Sequence, residues 1–584
     1  MRTPATSDQP SRGPVIPVEI TPPDANVRTL VHEYGGGSWW LGTGGVYWVD
    51  LADQRLRFTD DSGTSVITPE PPTPRGHRYA DGVVTADGRF SICVRERHDG
   101  DGEPANEIAS VANDGSGVSA LWAKSDFVSS PRLSADGTRL AFISWDHPEM
   151  PWTRTRLHVH AFADGRLGDE LIRLDGDRAF CEPGWVDDRL LVVVDDDGWW
   201  NLHAVDLVDA SLTPVLAGPF EIATPPWVFG MQRWASIDGS IVAVAALPTG
   251  DELIVDGRTI TTVDSTINSL HAGRSQLVCT GAGYDHETEV VALTVADGAP
   301  IRRAVKPARA LPFDRRFLVE PEFISFPTGE DGSEIAHGLF YPPTNPDHVA
   351  PAGERPPLLV LAHGGPTAQA RRQLQTAILF WTSRGIAVVD VDYRGSTGYG
   401  RAYRQALDDR WGIADVEDCV AAARHLADRG DVDPDRLMIR GGSAGGFTVL
   451  SALAFHDVFA VGASRYGVAD LEALATDTHK FEARYLDSLV GPYPEARDVY
   501  VARSPINHVD QLAAPMIVLQ GDEDEIVPPN QSEMIVDALR AKGVEVEYLL
   551  FEGEQHGFRK AENIVAALEA ELAFFGRILG FVPG

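Results

Sequence analysis

Thiols, lysines and long apolar runs are all scarce in this chain of 584 residues, and the scarcity of thiols and of apolar runs each removes a class of function, whereas arginine makes up the positive charge that lysine does not supply. Only four cysteines occur, Cys93, Cys181, Cys279 and Cys419, scattered without any C-x-x-C spacing. Neither a thiolate zinc site nor a disulfide framework is therefore expected, and no metal or cofactor is anticipated. No run of about 18 apolar residues offers a bilayer span, and the opening stretch from Met1 to Ile20 has proline and charge where a signal segment has an apolar core. A cytoplasmic location is the default expectation. Lysine is confined to Lys124, Lys306, Lys480, Lys542 and Lys560, and the formal net charge is -35 at pH 7. A field of that sign repels phosphate backbones and anionic lipid heads, so it argues against nucleic-acid and membrane partners and favours neutral or cationic ligands.

The remaining composition, 43% hydrophobic and 23% charged, is that of a folded globular chain long enough for more than one core. Two grammars divide it. From about Val31 to Ala310, short β-branched or aromatic runs are set off by D-G, A-D-G and G-G turns, the pattern of strands joined by hairpins. The strongest runs are Val46 to Asp50, Arg89 to Arg95, Arg139 to Trp145, Arg189 to Val194, Ser240 to Leu247 and Gln276 to Gly281. They recur at roughly 35 to 50 residues, the period of propeller blades. Six blades are visible, a seventh is expected from the weaker flanks, and a stacked sandwich is the alternative. The Pro-rich segment before Asn26 reads as an irregular arm. After about Pro312, apolar strands alternate with helical stretches, as an open, mostly parallel sheet requires. Leu358 to Ala362, Ile386 to Val391, Leu437 to Arg440, Met516 to Gln520 and Val546 to Phe551 read as its strands. Trp411 to Arg429 reads as a helix stopped by Gly430. The expected organisation is a two-domain chain: residues 1–315 form the arm and an all-β propeller, and residues 316–584 an α/β-hydrolase fold.

The chemistry lies in the second half. Leu437 to Arg440 runs into Gly441-Gly442-Ser443-Ala444-Gly445-Gly446, a G-x-S-x-G elbow. A hydroxyl is a weak nucleophile and must be presented on a tight strand-to-helix turn, where small neighbours avoid collisions. Taken alone, the motif is equally a glycine-rich turn; its partners downstream change that. The strand from Met516 is followed by Gly521-Asp522-Glu523-Asp524-Glu525-Ile526-Val527-Pro528, and the strand from Val546 by Glu552-Gly553-Glu554-Gln555-His556-Gly557. The order Ser, Asp, His is that of α/β-hydrolases. Ser443, Asp524 and His556 are the expected catalytic set, with Asp522, Glu523 and Glu525 as competitors for the acid. Backbone N–H groups of Gly365, in His363-Gly364-Gly365-Pro366, and of Ala444 are the expected oxyanion donors. Asp195-Asp196-Asp197-Gly198 resembles half a calcium loop but lacks the spaced ligands and terminal Glu, so a hairpin turn is expected.

These segments, with Asp392-Tyr393-Arg394-Gly395-Ser396-Thr397-Gly398-Tyr399-Gly400 and, in the first half, Val31-His32-Glu33-Tyr34-Gly35-Gly36-Gly37 and Trp145-Asp146-His147-Pro148-Glu149-Met150-Pro151-Trp152, resemble the prolyl oligopeptidase family of serine peptidases, its acylaminoacyl-peptidase-like bacterial branch in particular. The resemblance implies a seven-bladed propeller that caps the active site and admits small or unfolded peptides. It also implies that Ala463, Tyr466, Phe481 and Val527 line the pocket for the side chain before the scissile bond. An aminopeptidase needs an anion for the substrate ammonium, and Glu33, Asp146 and Glu149 are candidates. The double-glutamate motif of the dipeptidyl peptidase branch is absent, which argues against strict dipeptide removal. The expected function is a serine oligopeptidase acting near the N-terminus of short peptides, as an aminopeptidase or acylaminoacyl peptidase. An amidase or esterase for aminoacyl conjugates, including aminoacyl-nucleoside antibiotics, is the enzymatic alternative. A propeller binding scaffold with an inactive hydrolase domain is the non-enzymatic one. Side-chain preference, a free or blocked amine, and a possible homo-oligomer are left open.

Overall fold

The computed structural model describes residues 18–581 apart from 101, 274, 297 and 298. Most of the proline-rich arm thus lies outside the described residues. The chain divides into two compact units, Met1–Ala282 with Thr288–Ala308 and Gly283–Glu287 with Arg309–Gly584.

Among its described residues the first unit contains six four-stranded sheets at residues 39–66, 77–122, 127–174, 180–216, 234–260 and 266–306, each with its strands side by side in chain order. These are six propeller blades, not the seven expected. Among the described residues, the flanks that were to supply the seventh make only isolated bridges, Val27↔Asp50, Gly36↔Phe229 and Glu221↔Ala246. Residues 217–233 hold three prolines and two glycines, and a proline cannot donate to a ladder. The six strong sequence runs all fall on the second strand of a blade, and two of these strands, Arg139–Trp145 and Ser240–Leu247, are buried on both faces. In four blades the first strand bulges at a residue of positive φ, namely Asp81, Ser130, Glu182 and Ser269. The bulges turn polar groups toward the neighbouring blade: Asp81 Oδ2 accepts from Ser130 N at 2.9 Å, and Glu182 Oε2 from Arg233 N at 2.7 Å. The triple aspartate is a hairpin turn closed by Gly198 N donating to Asp195 O at 3.0 Å.

The second unit is built on one eight-stranded sheet: β1 (Glu322–Thr328), β2 (Glu334–Tyr341), β3 (Leu358–Ala362), β4 (Ala387–Asp392), β5 (Leu437–Gly442), β6 (Val461–Arg465), β7 (Met516–Gly521) and β8 (Val546–Phe551). Their spatial order is β1-β2-β4-β3-β5-β6-β7-β8, antiparallel among the first three strands and parallel from β4 to β8. β1, β2 and β6 were missed from the sequence because their runs are short or interrupted by Pro, Gly and charge. The helix α1 (Ala414–Arg429) ends where Gly430 takes φ 84, the left-handed cap that a Cβ would strain. The helices α2 (Ala444–Phe455), α3 (Pro529–Lys542) and α4 (Ala561–Leu579) complete the elements used below. The core formed by Leu359, Met438, Ile517, Trp381, Phe574 and Phe575 joins the sheet to α4. Among the described residues, no helix is long and apolar enough to cross a membrane.

A buried charge cluster pins α4 to the sheet. Glu571, fully buried, accepts from Arg465 at 2.6 and 2.7 Å and lies 3.1 Å from Arg440 Nε. Burial works against the charged carboxyl, yet the guanidinium groups of Arg440 and Arg465 outweigh it and hold Glu571 below the usual carboxylate range. Glu571→Ala leaves two largely buried cations facing each other. It is expected to destabilise the second unit by about 3–5 kcal/mol in urea unfolding, and a loss under about 1 kcal/mol, the size seen for exposed pairs, refutes this account.

Candidate active site

β5, β7 and β8 run parallel, so the loops leaving their C-terminal ends lie at one edge of the sheet. Ser443 sits between β5 and α2 at φ 57, ψ -125, a conformation costly for a residue with a Cβ and fixed here by its surroundings. Its N–H donates to Arg465 O at 3.0 Å, and its carbonyl accepts from Gly446 N at 2.8 Å and Phe447 N at 3.1 Å. The flanking glycines are imposed by contact. A Cβ on Gly445 would lie 2.1 Å from Ala362 O, and one on Gly442 2.9 Å from the Tyr466 ring.

His556, in the loop after β8, bridges the other two groups. Its Nδ1 is 2.8 Å from Asp524 Oδ2 and its Nε2 is 2.9 Å from Ser443 Oγ. A carboxylate can only accept, so Nδ1 carries the proton and Nε2 offers its lone pair to the serine hydroxyl. Asp524 is buried in the turn after β7, where its Oδ1 accepts from Ile526 N at 3.0 Å and Val527 N at 2.9 Å. Gln520 Nε2, 3.4 Å from Oδ2, adds a weak contact and is itself held by Ser532, which donates to its Oε1 at 2.7 Å. The competing acids are placed otherwise. Asp522 accepts from Gly553 N at 2.7 Å, tying the β7 and β8 loops together, while Glu523 and Glu525 are exposed. The Tyr466 ring packs on His556 with centroids 4.9 Å apart.

Gly364 and Gly365 follow β3, beside the elbow: a Cβ on Gly364 would lie 3.4 Å from Ser443 Cβ. Their loop is anchored by groups whose roles the sequence did not disclose. His363 Nε2 meets Ser396 Oγ at 2.7 Å, Tyr393 Oη donates to His363 O at 2.9 Å, and Thr367 Oγ1 bonds to Tyr485 Oη. Burial lowers the His363 pKa and keeps the ring neutral. The signal available was position: Tyr393 and Ser396 leave the end of β4, the strand that pairs with β3. Ala444 opens α2, so its N–H has no intrahelical acceptor.

The remaining expected residues are spread out. Tyr466 and Val527 adjoin the triad, Phe481 is buried in the short turn Lys480–Glu482, and Ala463 lies mid-strand in the core. Glu33, Asp146 and Glu149 belong to the first unit and have partners within it. Glu33 pairs with Arg78 at 2.6 Å, Asp146 with Arg156 and with Asp126 N, and Glu149 accepts from Thr153 Oγ1 at 2.8 Å.

The arrangement can activate a serine hydroxyl. A fluorophosphonate is expected to modify Ser443, as read by peptide mass mapping; Asp524→Asn, which inverts the histidine tautomer, is expected to slow labelling strongly, and Glu525→Gln to leave it unchanged. Intact wild-type protein that stays unlabelled contradicts the reading.

Residues 372–581 match the family described as the prolyl oligopeptidase family. Dipeptidyl aminopeptidase BIII of Pseudoxanthomonas mexicana is 33% identical over 230 residues, 38% of this chain and 33% of that protein. An acylamino-acid-releasing enzyme of Arabidopsis thaliana is 32% identical over 212 residues, 35% of this chain and 28% of that protein. The chain thus spans about a third of the length of these curated relatives in the matched region. Among solved structures, a puromycin-hydrolyzing peptidase of Mycobacterium tuberculosis superposes with a TM-score of 0.91 at 38% identity, covering 97% of this chain and 90% of that one. A puromycin hydrolase with one serine replaced by alanine, complexed with PGG, gives 0.90 at 37%, covering 96% and 89%.

Proposed function

The chain belongs to the prolyl oligopeptidase family, and on that premise we propose that it is a serine oligopeptidase that releases residues near the N-terminus of short peptides through an acyl-enzyme on Ser443. The observation that carries this reading is the unbroken hydrogen-bonded chain from Asp524 through His556 to Ser443 Oγ. As the hydroxyl attacks the scissile carbonyl, His556 Nε2 takes its proton, and Asp524 stabilises the imidazolium that forms. The N–H groups of Gly365 and Ala444 receive the developing oxyanion, each worth about 3–4 kcal/mol of barrier. His556 then returns the proton to the leaving amine. Water, deprotonated by the same imidazole, releases the acyl group and restores the serine. Tyr466 and Val527, which adjoin the triad, supply the apolar side of the pocket for the residue before the cut.

Within this reading a free amine is preferred to a blocked one. The support is the likeness to puromycin-hydrolysing proteins at 37–38% identity over nearly the whole chain, against 24–32% identity to the acylamino-acid-releasing enzymes. The same likeness favours a second substrate class, small aminoacyl conjugates such as aminoacyl-nucleoside antibiotics. Aminoacyl-p-nitroanilides, their N-acetylated forms, simple acyl esters and puromycin, compared by kcat/KM, separate these readings. The free aminoacyl amides are expected to be turned over best, and activity on simple esters alone contradicts a peptidase. Ser443→Ala is expected to cut kcat by about 10⁵–10⁶ while leaving the circular dichroism spectrum unchanged.

A further inference from the structure

The third blade holds a pair of imidazoles that the hydrolytic site does not use. The strand Arg156–Ala163 contains His158-Val159-His160, and alternation along a strand puts both rings on one face. The neighbouring strand Arg166–Leu174 pairs irregularly. Its partners jump from Val159↔Ile172 to His160↔Glu170, leaving Leu171 as an extra residue, and again to Phe162↔Leu167. Bulges re-aim the side chains beside them. The first turns the Glu170 carboxylate onto the rings, with Oε1 2.9 Å from His158 Nδ1 and 3.7 Å from His160 Nε2. At the second, the Gly168 carbonyl lies 3.2 Å from His160 Nδ1.

A carbonyl only accepts, so His160 Nδ1 carries a proton, and in the neutral ring Nε2 presents a bare lone pair. His160 is 6% exposed, and its Nε2 is buried without a hydrogen-bond partner. That lone pair faces the Glu170 Oε1 that His158 Nδ1 also meets, and a cation placed among the three atoms satisfies all of them. His158 is prepared in the same way. Its Nε2 lies 2.9 Å from Ser144 Oγ, which accepts Nε2–H when Nδ1 is the ligand. Such outer contacts orient metal-bound imidazoles. The three donor atoms lie within 4.8 Å of one another, a spread compatible with tetrahedral ligands each about 2.0–2.2 Å from a zinc ion. The rings are held by Phe142, stacked 4.9 Å from His158 and 5.7 Å from His160, and by Trp122 at 5.0 Å from His158. Arg173, opposite His158 in register, pairs with Asp175 at 3.2 Å.

We propose that His158, His160 and Glu170 form a binding site for a borderline divalent cation, Zn²⁺ in the first instance, with a fourth position open to water. The Glu170 side chain is partly exposed and gives the ion a way in. The ion ties the bulged outer strand to its neighbour, so its effect is on the stability of this blade and not on the chemistry at Ser443.

The test uses the full chain, stripped with a chelator and then titrated with Zn²⁺ or Co²⁺. One equivalent of Zn²⁺ is expected to stay with the protein through gel filtration and to raise its melting temperature, and Co²⁺ to give the visible bands of a tetrahedral site. Glu170→Gln, a surface change that can keep a hydrogen bond to His158, is expected to weaken Zn²⁺ binding by more than about tenfold without altering hydrolysis. His160→Ala is expected to abolish the Co²⁺ bands. Failure of the wild type to retain Zn²⁺ overturns the proposal. So does a Zn²⁺ affinity unchanged by Glu170→Gln, since the ion then lies elsewhere; that arm stands even if His160→Ala does not fold.

Discussion

The imidazole of His556 has to face a hydroxyl and a carboxylate at once, and the second unit is arranged around that demand. Three loops leaving parallel strands each supply one group. The carboxylate is fixed by backbone N–H groups of its own turn, the ring by Tyr466, and the serine by a backbone conformation that only close packing sustains. None of the three positions has strength by itself; preorganisation comes from the sheet that sets the loops beside one another.

The second half was largely legible in the sequence because its signals are local. The elbow needs particular small residues in a row, and the downstream loops follow apolar strands that leave little doubt about their ends. The choice of Asp524 among four acids followed from its place at the bend, and the structure explains that place: it alone has two successive amides to accept from and a ring within 2.8 Å. The anchoring of the His363 loop was not legible, since Tyr393, Ser396 and Tyr485 come from other elements. Their convergence depends on strand order, which periodicity does not encode.

The first half shows the opposite balance. Each blade announced itself through its second strand, but the number of blades depended on weak flanks, and among the described residues six sheets stand where seven were expected. A period gives the size of a repeat more surely than the count. Cysteine spacing is likewise silent on His158 and His160, whose alternation looks like that of any half-buried strand. The irregularity at Leu171 in the partner strand, invisible in sequence, brings Glu170 to them.

The contact between Gly445 and the Ala362 carbonyl bears on how such a scaffold diversifies. With backbone oxygen filling the room where a side chain would begin, no larger residue fits without prising the central strands apart. A library meant to diversify the enzyme therefore gains nothing by randomising the turn that bears Ser443.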